Sequence, residues 1–213
     1  MAVIFVTGSD TAVGKTHVAG LLARRLAKSG RVQVIKPVES GAGVGRPADA
    51  PRAAGSWAEP HTLISFPEPL APLAAAERAG KKLTLPRLLD AYRKLPASVH
   101  RVIEGAGGVA VPLDPSGLDW ADFIKAIKPS LVVVVVEDRL GAINQARLAV
   151  AYLKSKKIKT SVAVWLNAAH SRAAREVLAT NRDGLLRSKI KLAGESGYKK
   201  QKAIFASDLY LLQ

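Results

Sequence analysis

The sequence predicts a three-layer α/β/α fold built on a mainly parallel central sheet, and three observations carry that expectation. Apolar runs rich in Val and Ile alternate along the chain with segments whose apolar residues recur at helical spacing. The runs are almost continuously hydrophobic, the pattern of parallel strands covered by helices on both faces. A glycine-rich turn ending in Gly-Lys-Thr separates the first run from the first helical segment, as in a strand–loop–helix unit that holds phosphate.

Taken in order, residues 2–7 form a β-branched apolar run, and residues 15–28 follow with helical spacing through Val18, Leu21, Leu22 and Leu26. A second strand over 32–35 completes a βαβ opening. The stretch 41–60, rich in Gly, Pro and Ala, reads as one long loop, a length that a compact domain keeps for function or mobility. Beyond it the pattern gives helices over 70–79 and 85–95, a strand over 101–104, a helix over 120–127 and a strand over 131–136. A helix over 143–155, a strand over 161–166 and a helix over 172–180 close the series. Right-handed crossovers between such strands lay the helices on both faces of the sheet.

Composition narrows the class. The 213 residues are 48% hydrophobic, enough to bury a substantial core, and the 17 Gly and 12 Pro follow no repeat period. No linker divides the chain, so residues 1–213 are expected to form one domain. The absence of Cys excludes disulfides, thiolate metal sites and cysteine nucleophiles, and fits a reducing compartment. Residues 1–7 lack the basic leader of a secretory signal, and no apolar run approaches the roughly 20 residues that cross a bilayer. A cytoplasmic protein without a membrane partner is therefore expected. A net charge of +15 and a pI near 10.3 would attract polyanions. The basic residues are nevertheless dispersed, and the clusters at 154–159 and 199–202 lack the interleaved aromatics of a single-strand groove. Solvated surface charge is the expectation, and nucleic acid is not an expected partner.

The chemistry concentrates at strand ends. GSDTAVGKT occupies residues 8–16 between the first strand and first helix, where backbone N–H groups and the helix dipole cradle phosphates. The usual loop has four residues between its glycines, whereas Gly8 and Gly14 enclose five, with Ser9 standing where a glycine would. Gly14 lets the backbone approach, Lys15 supplies a point charge to the outer phosphates, and the Thr16 hydroxyl is a magnesium donor. Glu104 ends a buried strand and is followed by Gly105, Ala106, Gly107 and Gly108, so it reaches the carboxyl edge of the sheet where such folds bind ligands. Lys36 ends another strand at the same edge, suited to clamp a reacting anion, and Asp49 in the long loop offers a second carboxylate for the metal.

In this order the segments resemble the dethiobiotin synthetase family, which carries a GTDT-x-VGKT loop, KPV-x-(S/T)-G, an (S)DA motif, EGAGG-x-x-VPL, LG-x-IN and an Asn ending a late strand. Here they read GSDTAVGKT at 8–16, KPVESG at 36–41, ADA at 48–50, EGAGGVAVPL at 104–113, LGAIN at 140–144, and Asn167. FPEPLAPLAAAERAG at 66–80 is similar to the segment before the family's middle helices. The resemblance implies a phosphate-loop fold and a cytoplasmic, homodimeric enzyme that joins 7,8-diaminononanoate and CO₂ into a cyclic urea with ATP and Mg²⁺. It implies that Lys36, Lys15 and Thr11 are catalytic, and that Thr16, Asp49 and Glu104 hold the metal. ATP would meet Ala12, Val13, Gly14, Lys15, Thr16, His17, Asp49, Glu104, Gly105, Ala106 and Gly107, with Asn167 reading adenine and Ser196 and Gly197 in a late nucleotide loop at 194–198. Thr11 and Ser40 would bind substrate, joined by Asn144 from across a dimer interface.

Some positions depart from the family pattern: Ala12, Glu39, Leu73, Gln145, Ala163 and Gly197, of which Glu39 sets a carboxylate beside the reacting anion. Two rival readings share the loop. One is an ATP-dependent ligase acting on another substrate. The other is a nucleotide switch of the ParA or MinD kind, which usually carries an additional lysine early in the loop, where this chain has Asp10.

Overall fold

A computed structural model of the chain describes residues 1–42, 48–169, 171, 173–197 and 203–206. Its centre is an eight-stranded sheet in the order β3-β2-β4-β1-β5-β6-β7-β8. These strands are β1 (Ala2–Gly8), β2 (Val32–Ser40), β3 (Glu59–Phe66), β4 (His100–Glu104), β5 (Leu131–Glu137), β6 (Ser161–Asn167), β7 (Leu192–Ser196) and β8 (Ala203–Phe205). All pairings are parallel except β7 with β8. Strand β1 is central, flanked by β4 and β5. The chain first leaves it toward β2 and later returns on the opposite side at β5, so the turn after β1 lies at a topological switch point, where α/β sheets open a crevice.

Helices α1 (Lys15–Leu26) and α2 (Asp49–Ala54) cover one face. The other carries α3 (Pro72–Arg78), α4 (Leu85–Arg93), α5 (Trp120–Ile127), α6 (Ala142–Ser155) and α7 (Arg175–Arg187). The side chains sort by parity: Ile4, Val6, Val32, Val34 and Val102 pack beneath α1, while Phe5, Ile35 and Ile103 face the larger layer. There Phe5 lies tilted against Trp120 and Phe123, which meet each other edge to face, with centroids 5.7–5.9 Å apart. The three-layer parallel architecture is the one expected.

Three local expectations are corrected. The presumed loop over 41–60 contains α2 and the start of β3. Strand β2 does not stop at Ile35 but runs through Pro37 to Ser40; beyond Ile35 it is paired only with β3, so a residue without an N–H is tolerated there. The supposed late loop begins inside β7, where Gly194 leaves room for Trp165, whose ring would lie 2.6 Å from an added Cβ. Tyr198 of that loop, the 199–202 basic cluster and Arg172 fall outside the described residues. Among the described residues no helix is long and apolar enough to cross a membrane.

Candidate active site

Strand register assembles the site. Ile35 of β2 pairs with Ile103 of β4, so the next residue on each strand, Lys36 and Glu104, emerges side by side on the face covered by α1. Lys36 Nζ donates to Glu104 Oε1 at 2.8 Å and to the Gly105 carbonyl at 3.3 Å, and lies 2.9 Å from Asp49 Oδ2. Thr16, in the first turn of α1, donates its hydroxyl to the same Glu104 oxygen at 2.9 Å. Thus β2, β4, α1 and α2 each contribute one side chain to a single point.

The charges there are strongly coupled. Lys36 and Glu104 are 3% and 1% exposed. Burial opposes the Lys36 charge, but Glu104 and Asp49 outweigh it and hold its pKa above the usual lysine range. Burial works against the Asp49 carboxylate too, and Lys36 and Arg52 more than compensate, leaving its pKa low. Among the described residues no carboxylate pairs with Lys15 as closely. Burial, reinforced by the Lys36 ammonium, pulls it down to about 8, and its Nζ donates to the Asp10 carbonyl across its own loop at 2.8 Å.

Backbone geometry shapes the cradle. Ala12 and Gly14 adopt φ of 60° and 92°, left-handed positions that turn successive N–H groups inward. The glycine-rich turn after β4 is fastened to the same loop: Gly105 N–H bonds Val6 O at 2.9 Å and Val109 N–H bonds Gly8 O at 3.1 Å. Trp120 donates its indole N–H to Ala106 O at 2.7 Å, holding that turn from below. The result is a cleft of about 680 Å³ lined by both turns and by the ends of β2 and α2.

Of the residues expected at the site, Thr11, Ala12, Gly14, Lys15, Thr16, His17, Lys36, Ser40, Asp49, Glu104, Ala106 and Gly107 line this cleft. Val13 and Gly105 are buried beside it. Asn167 does not line it: its Nδ2 donates to Val13 O at 2.9 Å and its Oδ1 accepts from Ala169 N at 3.3 Å. Ser196 is buried with its hydroxyl accepting from Trp165 Nε1 at 2.7 Å, and Gly197 follows it outside the cleft. Asn144 is exposed on α6, also away from the cleft.

Glu39 proves to be structural to the site. Its Oε1 accepts from the Asp49 N–H at 2.6 Å and its Oε2 from Thr62 Oγ1 at 3.2 Å, so the carboxylate anchors the start of α2 and thereby aims Asp49 at Lys36. Sequence reasoning missed this because it took 41–60 as loop and left α2 unrecognised. It also missed the far end of the cleft, where the Arg24 guanidinium lies 5.0 Å from the ring centroid of Trp57. No motif marks that pair.

The donor set suits a hard divalent cation. Asp49 Oδ2 and Glu104 Oε1 already surround one positive centre, and Glu104 Oε2 is buried with no hydrogen-bond partner among the described residues. Among those residues no group of three or more His, Cys, Asp or Glu forms, so two carboxylates and the Thr16 hydroxyl would need phosphate oxygens or water to complete a shell. That incompleteness is characteristic of magnesium sites at bound phosphates.

Residues 2–195 match the family model described as an AAA domain. The chain is 39% identical over 160 residues to the ATP-dependent dethiobiotin synthetase BioD of Anaeromyxobacter sp. (strain Fw109-5), covering 72% of this chain and 71% of that protein. The protein of the same name from Hydrogenobaculum sp. (strain Y04AAS1) is 35% identical over 164 residues, covering 74% and 73%. The chain belongs to the dethiobiotin synthetase family. Solved structures extend the likeness of fold. A plasmid partition protein of Borrelia burgdorferi superposes with a TM-score of 0.60 at 12% identity, over 99% of this chain and 94% of that one. The ParA family ATPase of Chlorobium tepidum TLS gives 0.54 at 12% identity, over 92% and 83%. At such identities these neighbours speak for the fold alone, whereas the dethiobiotin synthetase relatives share sequence over most of their length.

Proposed function

We propose that this chain is an ATP-dependent dethiobiotin synthetase, using ATP to close a cyclic urea on 7,8-diaminononanoate with CO₂. The observation that carries the reading is the meeting of Lys36, Asp49, Glu104 and Thr16 at the mouth of a phosphate loop, in a chain of this family. One amine of the substrate attacks CO₂ and loses a proton, giving a carbamate. A carbamate oxygen attacks the γ-phosphorus and ADP leaves. The second amine then attacks the carbonyl carbon of the mixed anhydride, phosphate departs, and the ring closes.

Most of what the protein supplies is position and charge. Lys15 and Lys36 offer ammonium groups to oxygens whose charge changes as the phosphoryl group moves, where preorganised cations act most strongly. Thr11 orients the carbamate and Ser40 hydrogen-bonds the substrate, which turns an encounter of separate molecules into a reaction within one complex. Thr16, Asp49 and Glu104 would hold Mg²⁺, which neutralises phosphate charge when bound. ATP lies along the loop from Ala12 to His17 and against Gly105, Ala106 and Gly107. Residues 1–213 act as one domain, and a homodimer in the cytoplasm brings Asn144 of each copy to its partner's substrate.

Diamine-dependent release of ADP tests the substrate. Purified protein with ATP, Mg²⁺ and bicarbonate should release ADP on addition of 7,8-diaminononanoate, and should form no cyclic urea from a monoamine of the same length, which lacks the nucleophile that closes the ring. ADP release indifferent to the diamine would instead fit a ligase for another substrate.

A further inference from the structure

We propose that Glu39 is a positioning residue that sets the affinity of the site for its divalent cation: with Thr62 behind it, Glu39 holds the first peptide of α2 and so fixes where the Asp49 carboxylate stands. The inference rests on the reading that Asp49 is a ligand of that cation.

The three proposed ligands are not held equally. Thr16 sits in the first turn of twelve-residue α1, and Glu104 ends a strand paired on both sides. Asp49 instead opens α2, a helix of six residues, too short to persist by its own hydrogen bonds. Near its far end α2 rests closely on α1, where a Cβ added at Gly20 would come 3.0 Å from Ala53 O. At its start the capping position is Ala48, whose side chain makes no hydrogen bond to the first turn.

Glu39 supplies that cap from the sheet. Its Oε1 accepts from the Asp49 N–H at 2.6 Å, one of the first-turn donors that a helix cannot satisfy by itself. Its Oε2 accepts from Thr62 Oγ1 at 3.2 Å, on β3, where Thr62 is the residue in register with Lys36. The carboxylate is thus pinned at both oxygens, and Glu39 is 5% exposed. With both oxygens so used, Glu39 supports a ligand and is not itself one. The Asp49 carboxylate lies between two cations, Lys36 at 2.9 Å and the half-exposed Arg52 at 3.2 Å. Releasing the Asp49 peptide lets Arg52 draw that carboxylate outward, away from Glu104.

Mn²⁺ binding to the complex with AMPPNP, followed by electron paramagnetic resonance with protein in excess, reads the site without turnover. Glu39→Ala should bind Mn²⁺ about tenfold more weakly, the usual loss when the partner that orients a metal ligand is removed. Glu39→Gln loses the same charge but keeps an acceptor for the Asp49 N–H, and should stay within about threefold of the wild type. Unchanged affinity in Glu39→Ala would overturn the proposal. An equal fall in both variants would overturn it too, since charge alone would then account for the loss. Should Glu39→Ala not fold, Thr62→Val carries the test: a weakening of about threefold is expected for one lost hydrogen bond, and unchanged affinity overturns the proposal. Asp49→Asn separates this from the reading beneath it: if that variant binds Mn²⁺ like the wild type, Asp49 is not a ligand and the metal assignment itself fails.

Discussion

Lys36→Met removes the central charge of the site while keeping an unbranched apolar stem in its place. In the native protein that ammonium bonds Glu104 at 2.8 Å and Gly105 O at 3.3 Å, and pairs with Asp49 at 2.9 Å. Breaking a buried pair from one side costs about 3–5 kcal/mol, because the surviving charge stays desolvated. Glu104, 1% exposed, bears nearly all of that penalty, whereas the Asp49 side chain, 29% exposed, can turn toward water. The lower end, about 3 kcal/mol, is therefore expected, or a fall of about 6–12 °C in Tm for a chain of this size. Turnover should drop by roughly 10²–10³, the usual loss for one preorganised charge on a transferring group. Nucleotide affinity should stay within about threefold, since Lys15 and the loop N–H groups remain. Calorimetric melting, nucleotide titration and product formation on the same preparation read all three. A variant that melts and turns over like the wild type would refute the coupling of Lys36 to Glu104 and its role in the reaction.

Other perturbations separate the remaining roles. Lys15→Ala should weaken nucleotide binding and lower kcat/KM together, because the same charge meets phosphates before and during transfer; a titration with unchanged affinity removes that assignment. Glu104→Gln keeps shape and removes one ligand charge, so the free Mg²⁺ needed for half-maximal turnover should rise at least about tenfold, and chelation should abolish product in both proteins; an unchanged Mg²⁺ midpoint excludes Glu104 as a ligand. His100 gives a pH signature of stability. Its Nδ1 accepts from Ala2 N–H at 3.3 Å, its Nε2 faces Ser29 Oγ at 3.1 Å, and burial lowers its pKa. The unfolded chain then takes up a proton first, so this contribution is complete above about pH 6.5 and shrinks as pH falls toward the folded pKa. Urea midpoints should decline over that window and decline less in His100→Gln; parallel profiles would refute the assignment.

What could be read from the sequence follows from how strongly each element constrains its residues. Strands β1, β5 and β6 lie within the sheet, and their apolar runs announce them. Gly14, Lys15 and Thr16 are legible because a phosphate loop allows few alternatives, and Glu104 and Lys36 because each follows a recognisable buried run. Edge strand β3 was illegible: it begins Glu59-Pro60, is half exposed and needs pairing on one side only. Helix α2 is six residues of Ala, Pro, Asp and Arg without an amphipathic period, and its start depends on Glu39, a tertiary contact no local pattern encodes. Asn167 was legible as a strand-end residue, but its bond to Val13 joins residues 154 positions apart.

Mass spectrometry of the product formed from ¹³C-bicarbonate, ATP, Mg²⁺ and 7,8-diaminononanoate tests the central claim most directly. Dethiobiotin should appear carrying one heavy carbon, and only when ATP is present. ATP consumption without labelled dethiobiotin would contradict the assignment of this site to ring closure on the diamine.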